Sequence, residues 1–174
     1  MRAFAPERTI RLGTLSKVLT PGFRLGYVIA PQEILDKLVQ FKGAMDLHTS
    51  TFTQLVAAQV FSENLLDTHL PAIRERYKKH ADAMLDALQE FMPEGVTWTR
   101  PIGGMFIWVT VPQHLNMTKL LPLALEQKVA YVPSEPFYAH NPQLNHFRLS
   151  FVTVGPDTIR EGIKRLATLI KANI

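Results

Sequence analysis

The stretch TLSKVLTPGFRLGY, Thr14 to Tyr27, decides how this chain is read. Lys17 stands between small hydroxyl-bearing residues and the Pro21-Gly22 turn, Arg24 follows seven positions after it, and the apolar run LGYVIA comes next. A lysine attacks a carbonyl only as the neutral amine, a form favoured by desolvation or by a neighbouring cation. Leu15, Val18 and Leu19 would exclude water from it, and Arg24 would supply the cation. Thr14 and Ser16, two positions apart, would lie on one side of an extended segment and offer hydroxyl donors to phosphate oxygens. Arg24 carries a planar fork that matches a phosphate dianion. Read singly, Lys17 and Arg24 would be loop charges beside an ordinary turn. Read together, they suit an amine that captures a carbonyl and a guanidinium that holds a phosphate.

Working outward, Thr9–Leu12 and Leu25–Ala30 read as strands bracketing this turn, the second apolar enough to be buried on both faces. Pro31 opens a helix reaching about Leu47, with Ile34, Leu35, Leu38 and Phe41 as its apolar stripe. The polar segment DLHTSTFTQ interrupts it and caps a second helix, Phe52–Leu66, whose Leu, Val and Ala content suggests burial. A long helix, Leu70–Phe91, carries Arg74, Arg76, Lys78 and Lys79 on solvated faces and stops at Pro93-Glu94-Gly95. Beyond it the texture changes. Strands are expected at Val96–Thr99, Met105–Val111, Val129–Val132 and Phe147–Val152, with helices at Thr118–Gln127 and Asp157–Ile170. The pattern is α/β, with one domain ending and a small α+β lobe following.

Bulk properties narrow the function classes. The chain has 174 residues, 47% of them hydrophobic, enough for a real core. A formal charge of +4, with scattered basic residues, does not suggest nucleic-acid binding. With no cysteine there is neither a disulfide framework nor a thiolate metal site. The six histidines form no helical i,i+4 pair suited to a metal. Asp46, His48 and Ser50 alternate, but a hydrolase triad is defined by three-dimensional geometry, not by such spacing. MRAFAPERTI lacks the apolar core of a secretory signal, and no apolar run would span a membrane. A cytoplasmic protein is expected.

The Lys17 segment resembles the cofactor-lysine segment of class I/II pyridoxal-phosphate aminotransferases. RPIGGMFIWVTVP, VAYVPSEPFY and NHFRLSFV follow in the order found in that family, so the resemblance covers essentially the whole chain. It is closest to the group containing 2-aminoadipate and kynurenine aminotransferases. The resemblance implies the C-terminal part of a fold type I enzyme: residues 1–69 as the end of the large cofactor-binding domain and 70–174 as the small domain with its connecting helix. It further implies that Lys17 bonds covalently to pyridoxal 5′-phosphate and that Thr14, Ser16 and Arg24 hold the phosphate. Arg148 would grip the α-carboxylate of an amino acid or 2-oxo acid, a role its bidentate fork suits. Thr14 replaces a commoner serine and keeps the hydroxyl. Ser134 stands where glycine is usual, which would stiffen the loop near the substrate.

Family members also carry, upstream of the lysine, a glycine-containing phosphate cradle, a ring-stacking aromatic residue and an acidic partner for the pyridine nitrogen. The 174-residue chain is therefore expected to act only within a longer or complemented protein, a homodimer by resemblance, and to be inactive alone. Two other readings share the motifs: the effector-sensing domain of a winged-helix transcriptional regulator, and an inactive truncated remnant.

Overall fold

The computed structural model describes residues 5–174. The chain divides into two compact units, one ending at Ala72 and the other running from Ile73 to Ile174.

The first unit is built on an antiparallel pair, β1 (Arg11–Thr14) and β2 (Gly26–Ile29), in which Thr14 faces Gly26 and Gly13 faces Tyr27. The Leu15 N–H donates to the Leu25 carbonyl at 3.0 Å and extends this closure by one step. The connection that carries Lys17 and Arg24 therefore leaves and returns at neighbouring points. Two helices follow, α1 (Gln32–Met45) after Pro31 and α2 (Thr51–Ser62). Ser50 caps α2, its Oγ accepting from the Thr53 N–H at 3.5 Å, so the polar break does start the second helix.

Burial here departs from the sequence reading. The β2 residues Tyr27, Val28 and Ile29 are exposed, with Leu25 and Ala30 buried at their flanks. α2, expected to be buried, leaves Phe52 74% exposed and buries Ala57 alone among its residues. These faces are apolar in content, yet their large side chains stay exposed. The next helix, α3 (Leu65–Phe91), begins earlier than expected and contains Pro71. Asn64, in the left-handed region at φ 54°, separates it from α2. Pro71 lacks the N–H that would bond one turn back, and the division between the units falls just after it.

The second unit has a conventional core. Its sheet runs β3 (Thr97–Trp98), β4 (Phe106–Thr110), β6 (His146–Ser150), β5 (Val132–Pro133), antiparallel throughout. Strand alternation sends Ile107, Val109, Phe147 and Leu149 to the buried face. Against them pack α4 (Met117–Glu126), α5 (Pro156–Lys171) and the later turns of α3. α5 contributes Ile159, Ile163, Leu166 and Ile170 at helical spacing. Each such fully buried side chain stabilises the unit by roughly 1.5–3 kcal/mol. Tyr131 adds a buried bond, its hydroxyl donating to the Met117 carbonyl at 2.7 Å. The strand expected at Phe147–Val152 runs His146–Ser150, offset by one or two residues at its ends as is common, whereas the one expected at Val129–Val132 begins only at Val132 and ends at Pro133.

Candidate active site

Two groups of residues singled out in the sequence stand on different units. On the first, Leu15–Leu19 forms a single helical turn, closed by the Leu19 N–H to the Leu15 carbonyl at 2.8 Å. Ser16 and Lys17 lie on that turn, so Thr14 and Ser16 do not share a face of an extended segment as expected. Thr14 instead serves the turn. Its Oγ1 accepts from the Ser16 N–H at 3.2 Å and donates weakly to the Leu25 carbonyl at 3.5 Å. The physical reason is the turn itself, which needs a partner for its first N–H.

Lys17 is exposed, and its amine has no hydrogen bond or ion pair among the described residues. Leu15, Val18 and Leu19 are only half-buried, so they do not supply the water exclusion expected of them. The Pro21–Phe23 turn that follows is capped by Thr20, whose Oγ1 accepts from the Gly22 N–H at 3.3 Å. Arg24 ends it in the left-handed region at φ 55°, uncommon for a residue with a side chain. Such backbone outliers gather where a side chain must be aimed for function. Its Nη1 donates to the Pro21 carbonyl at 3.3 Å, leaving the other guanidinium donors available. The donor set is thus an unpartnered primary amine, the Ser16 hydroxyl and a guanidinium edge on one connection. That chemistry fits a ligand with both a carbonyl carbon and a phosphate.

On the second unit, Arg148 points from the face of β6 opposite the core, paired in register with Trp108 on one side and Val132 on the other. Its guanidinium carbon lies 4.0 Å from the centre of the Phe106 ring and 5.0 Å from that of Phe137. Trp108 meets Phe137 edge to face at 5.4 Å and stacks against His146 at 6.0 Å. Arg148 makes no hydrogen bond or ion pair among the described residues. His146 Nε2 donates to Gln143 Oε1 at 2.8 Å and Nδ1 accepts from the Thr110 hydroxyl at 2.8 Å, which uses both nitrogens of a neutral ring. Burial also lowers its pKa. Arg148 is therefore a cation of this face without a hydrogen-bond or ion-pair partner among the described residues.

The aromatic flanks of Arg148 were not singled out from the sequence. Alternation in FIWVT and HFRLS puts Phe106, Trp108, His146 and Arg148 on outward faces, but the register that brings them together is a tertiary fact. The Asp46, His48 and Ser50 alternation forms no triad. Asp46 pairs with Lys42 at 2.8 Å, His48 bonds the Thr49 carbonyl at 2.9 Å, and Ser50 caps α2. Of the α3 basic residues, Lys78 pairs with Asp82 at 2.6 Å and Lys79 with Glu75 at 2.7 Å, in keeping with a solvated face. No helix of the described residues is long and apolar enough to cross a membrane.

Comparison with known proteins gives this geometry a family. The model of aminotransferase class I and II matches residues 3–166. The chain is 49% identical to aromatic-amino-acid aminotransferase 1 of Thermococcus litoralis, over 94% of its own length and 39% of the relative's. It is 41% identical to 2-aminoadipate transaminase of Thermus thermophilus, over 93% of its length and 41% of the relative's. It superimposes with a TM-score of 0.92 on a kynurenine aminotransferase of Pyrococcus horikoshii solved in complex with PMP, at 50% identity. That match covers 97% of this chain and 42% of the solved one. The chain thus spans about two fifths of the length of the proteins it matches. Its α/β fold is that of the C-terminal part of a fold type I aminotransferase, and the chain belongs to the class I and II aminotransferases, whose cofactor is pyridoxal 5′-phosphate.

Proposed function

We propose that this chain supplies the lysine and two arginines with which a longer or complemented protein transfers an amino group between an amino acid and a 2-oxo acid. The observation that carries the reading is the placement of Lys17 and Arg24 on one connection, closed at its base by the Thr14–Gly26 pair. Residues 1–69 would be the end of the large cofactor-binding domain and residues 70–174 the small domain. The apolar faces of β2, α1 and α2 support a longer protein, because a core-forming surface exposed to this extent calls for a partner. A cytoplasmic homodimer follows from the family resemblance.

When bound, the cofactor supplies an electrophilic carbonyl carbon and a ring that accepts an electron pair. The roles of the chain's own residues follow from their chemistry. Lys17 Nζ, as the neutral amine, would hold the cofactor at its carbonyl carbon and would be the base that takes the proton from the substrate Cα. Arg24 offers its remaining N–H donors to the phosphate, helped by the Ser16 hydroxyl. Thr14, already engaged with the Ser16 N–H and the Leu25 carbonyl, holds the turn more than it could hold a phosphate. Arg148 binds the substrate α-carboxylate with two parallel N–H donors. Because Lys17 is exposed here, the desolvation that favours its neutral form has to come from surfaces outside these residues.

The test is amino-acid-dependent formation of a 2-oxo acid by a full-length form and by its Lys17→Ala variant. Turnover by the first and its loss in the second is expected. Undiminished turnover by Lys17→Ala would overturn the reading.

A further inference from the structure

We propose that Ser134 is a positioning residue that sets the Phe137 ring against the Arg148 guanidinium, and so fixes the plane in which Arg148 meets a carboxylate. The proposal rests on the reading of Arg148 given above. Ser134 is fully buried, at 0% exposure, although it is polar and stands at the head of a short loop. Its N–H donates to the His146 carbonyl at 3.0 Å, and its Oγ donates to the Gln143 carbonyl. His146 is the first residue of β6, the strand that carries Arg148, and Gln143 lies three positions before it. The Ser134 carbonyl in turn accepts from the Phe137 N–H at 2.9 Å and starts the one-turn helix Glu135–Phe137. A second tether comes from Thr118, whose hydroxyl donates to Glu135 Oε2 at 2.9 Å.

Phe137 needs this anchoring. The residue is 48% exposed, with Trp108 against its ring edge to face at 5.4 Å, so packing holds it only in part. Yet its ring stands 5.0 Å from the Arg148 guanidinium carbon, with Phe106 at 4.0 Å. Both distances are within the range where a guanidinium is attracted to an aromatic face. This attraction restrains the side chain without using an N–H donor, whereas a carboxylate partner would occupy the fork. Ser134 adopts φ −71°, a conformation open to any residue, so its presence is not demanded by the backbone. Its hydroxyl has a specific partner instead. A serine buried at this point links the strand that carries the cation to the turn that carries the ring.

The experiment observes the Arg148 side-chain Nε–Hε resonance by NMR in the labelled 174-residue chain, assigned by its loss in Arg148→Lys. Ring currents from Phe106 and Phe137 are expected to displace it from the other arginines, and Phe137→Leu to remove part of that displacement. Ser134→Ala and Ser134→Gly should each remove most of the part that Phe137→Leu removes, with the amide spectrum of β6 and α5 retained. A resonance that moves in Phe137→Leu but not in the serine variants would overturn the role of Ser134, and one unmoved in Phe137→Leu would overturn the clamp. Unfolding of both serine variants would make Ser134 a structural residue and also overturn the proposal. In the full-length form, Ser134→Ala should raise KM for the amino acid several-fold with a smaller change in kcat; an unchanged KM would contradict it. Failure of the carboxylate reading shows separately, as turnover unaffected by Arg148→Ala while the NMR effects persist.

Discussion

Tyr27 lies across Gly13 in the β1–β2 pair so closely that a Cβ on Gly13 would stand 2.1 Å from the ring. The ring covers the space left by the missing side chain, an arrangement that compensates a glycine within a strand. It also fixes the hairpin from which the Lys17 connection springs. Gly13→Ala is expected to push Tyr27 aside and destabilise the first unit by about 1 kcal/mol. In a Tyr27→Ala background the same change should cost less, because the clash is gone. Chemical denaturation of the four-member mutant cycle measures this, and equal costs in the two backgrounds would contradict the contact.

Arg148→Ala in a full-length form should lower amino-acid turnover at least tenfold while leaving cofactor absorbance nearly unchanged. A hydrogen bond to a charged group contributes about 1.5–3 kcal/mol, which corresponds to that factor or more. Arg148→Lys should recover little, since an ammonium has no bidentate fork. The assay is kcat/KM for the amino acid beside the visible spectrum. Turnover that survives Arg148→Ala would remove the role.

The isolated 174-residue chain is expected to show no meaningful transamination and to hold pyridoxal 5′-phosphate weakly. Arg24 and Ser16 give one edge of a phosphate site, and Lys17 stands in water. Loss of two interactions of about 2 kcal/mol each would lower the relevant rate or equilibrium roughly a thousandfold. The check is amino-acid-dependent conversion of the bound cofactor to its amine form. Turnover comparable to a full-length form would contradict the proposal that the chain needs further protein.

Burial pushes the Tyr131 phenol pKa up from its ordinary value of 10.0. The folded state then holds its proton at pH values where the unfolded state has released it. Stability from this group is fully present below about pH 10 and is lost as pH rises above it. Tyr131→Phe should therefore flatten the loss of stability in the alkaline range. It should also cost about 1–3 kcal/mol near neutrality, because the Met117 carbonyl loses its buried partner. Denaturation of both proteins across that range measures the difference.

The order of helices and strands was legible because each left a local signal. Pro31, the polar segment that contains Ser50, and Gly95 mark helix boundaries, and the amphipathic period of Ile159, Ile163, Leu166 and Ile170 marks α5. Lys17, Arg24 and Arg148 stand out in the sequence because their residue types sit in unusually specific local contexts, and the roles proposed for them rest on those contexts. Burial of β2 and α2 was not, because apolar content says what a face would accept and not whether anything covers it. The aromatic flanks of Arg148 were hidden for a related reason. Phe106 and Arg148 are distant in sequence and meet through strand register, while Phe137 reaches Arg148 from a loop that no periodicity places.

Lys17 is proposed as the residue that bonds to the cofactor, and peptide mapping can identify the bonded residue. A full-length form is incubated with pyridoxal 5′-phosphate, reduced with borohydride and digested, and the modified peptide is identified by mass spectrometry. The label is expected on Lys17, within the segment Thr14 to Tyr27, and is expected to be absent in Lys17→Ala. A stoichiometric label on another lysine, with Lys17 unmodified, would contradict it.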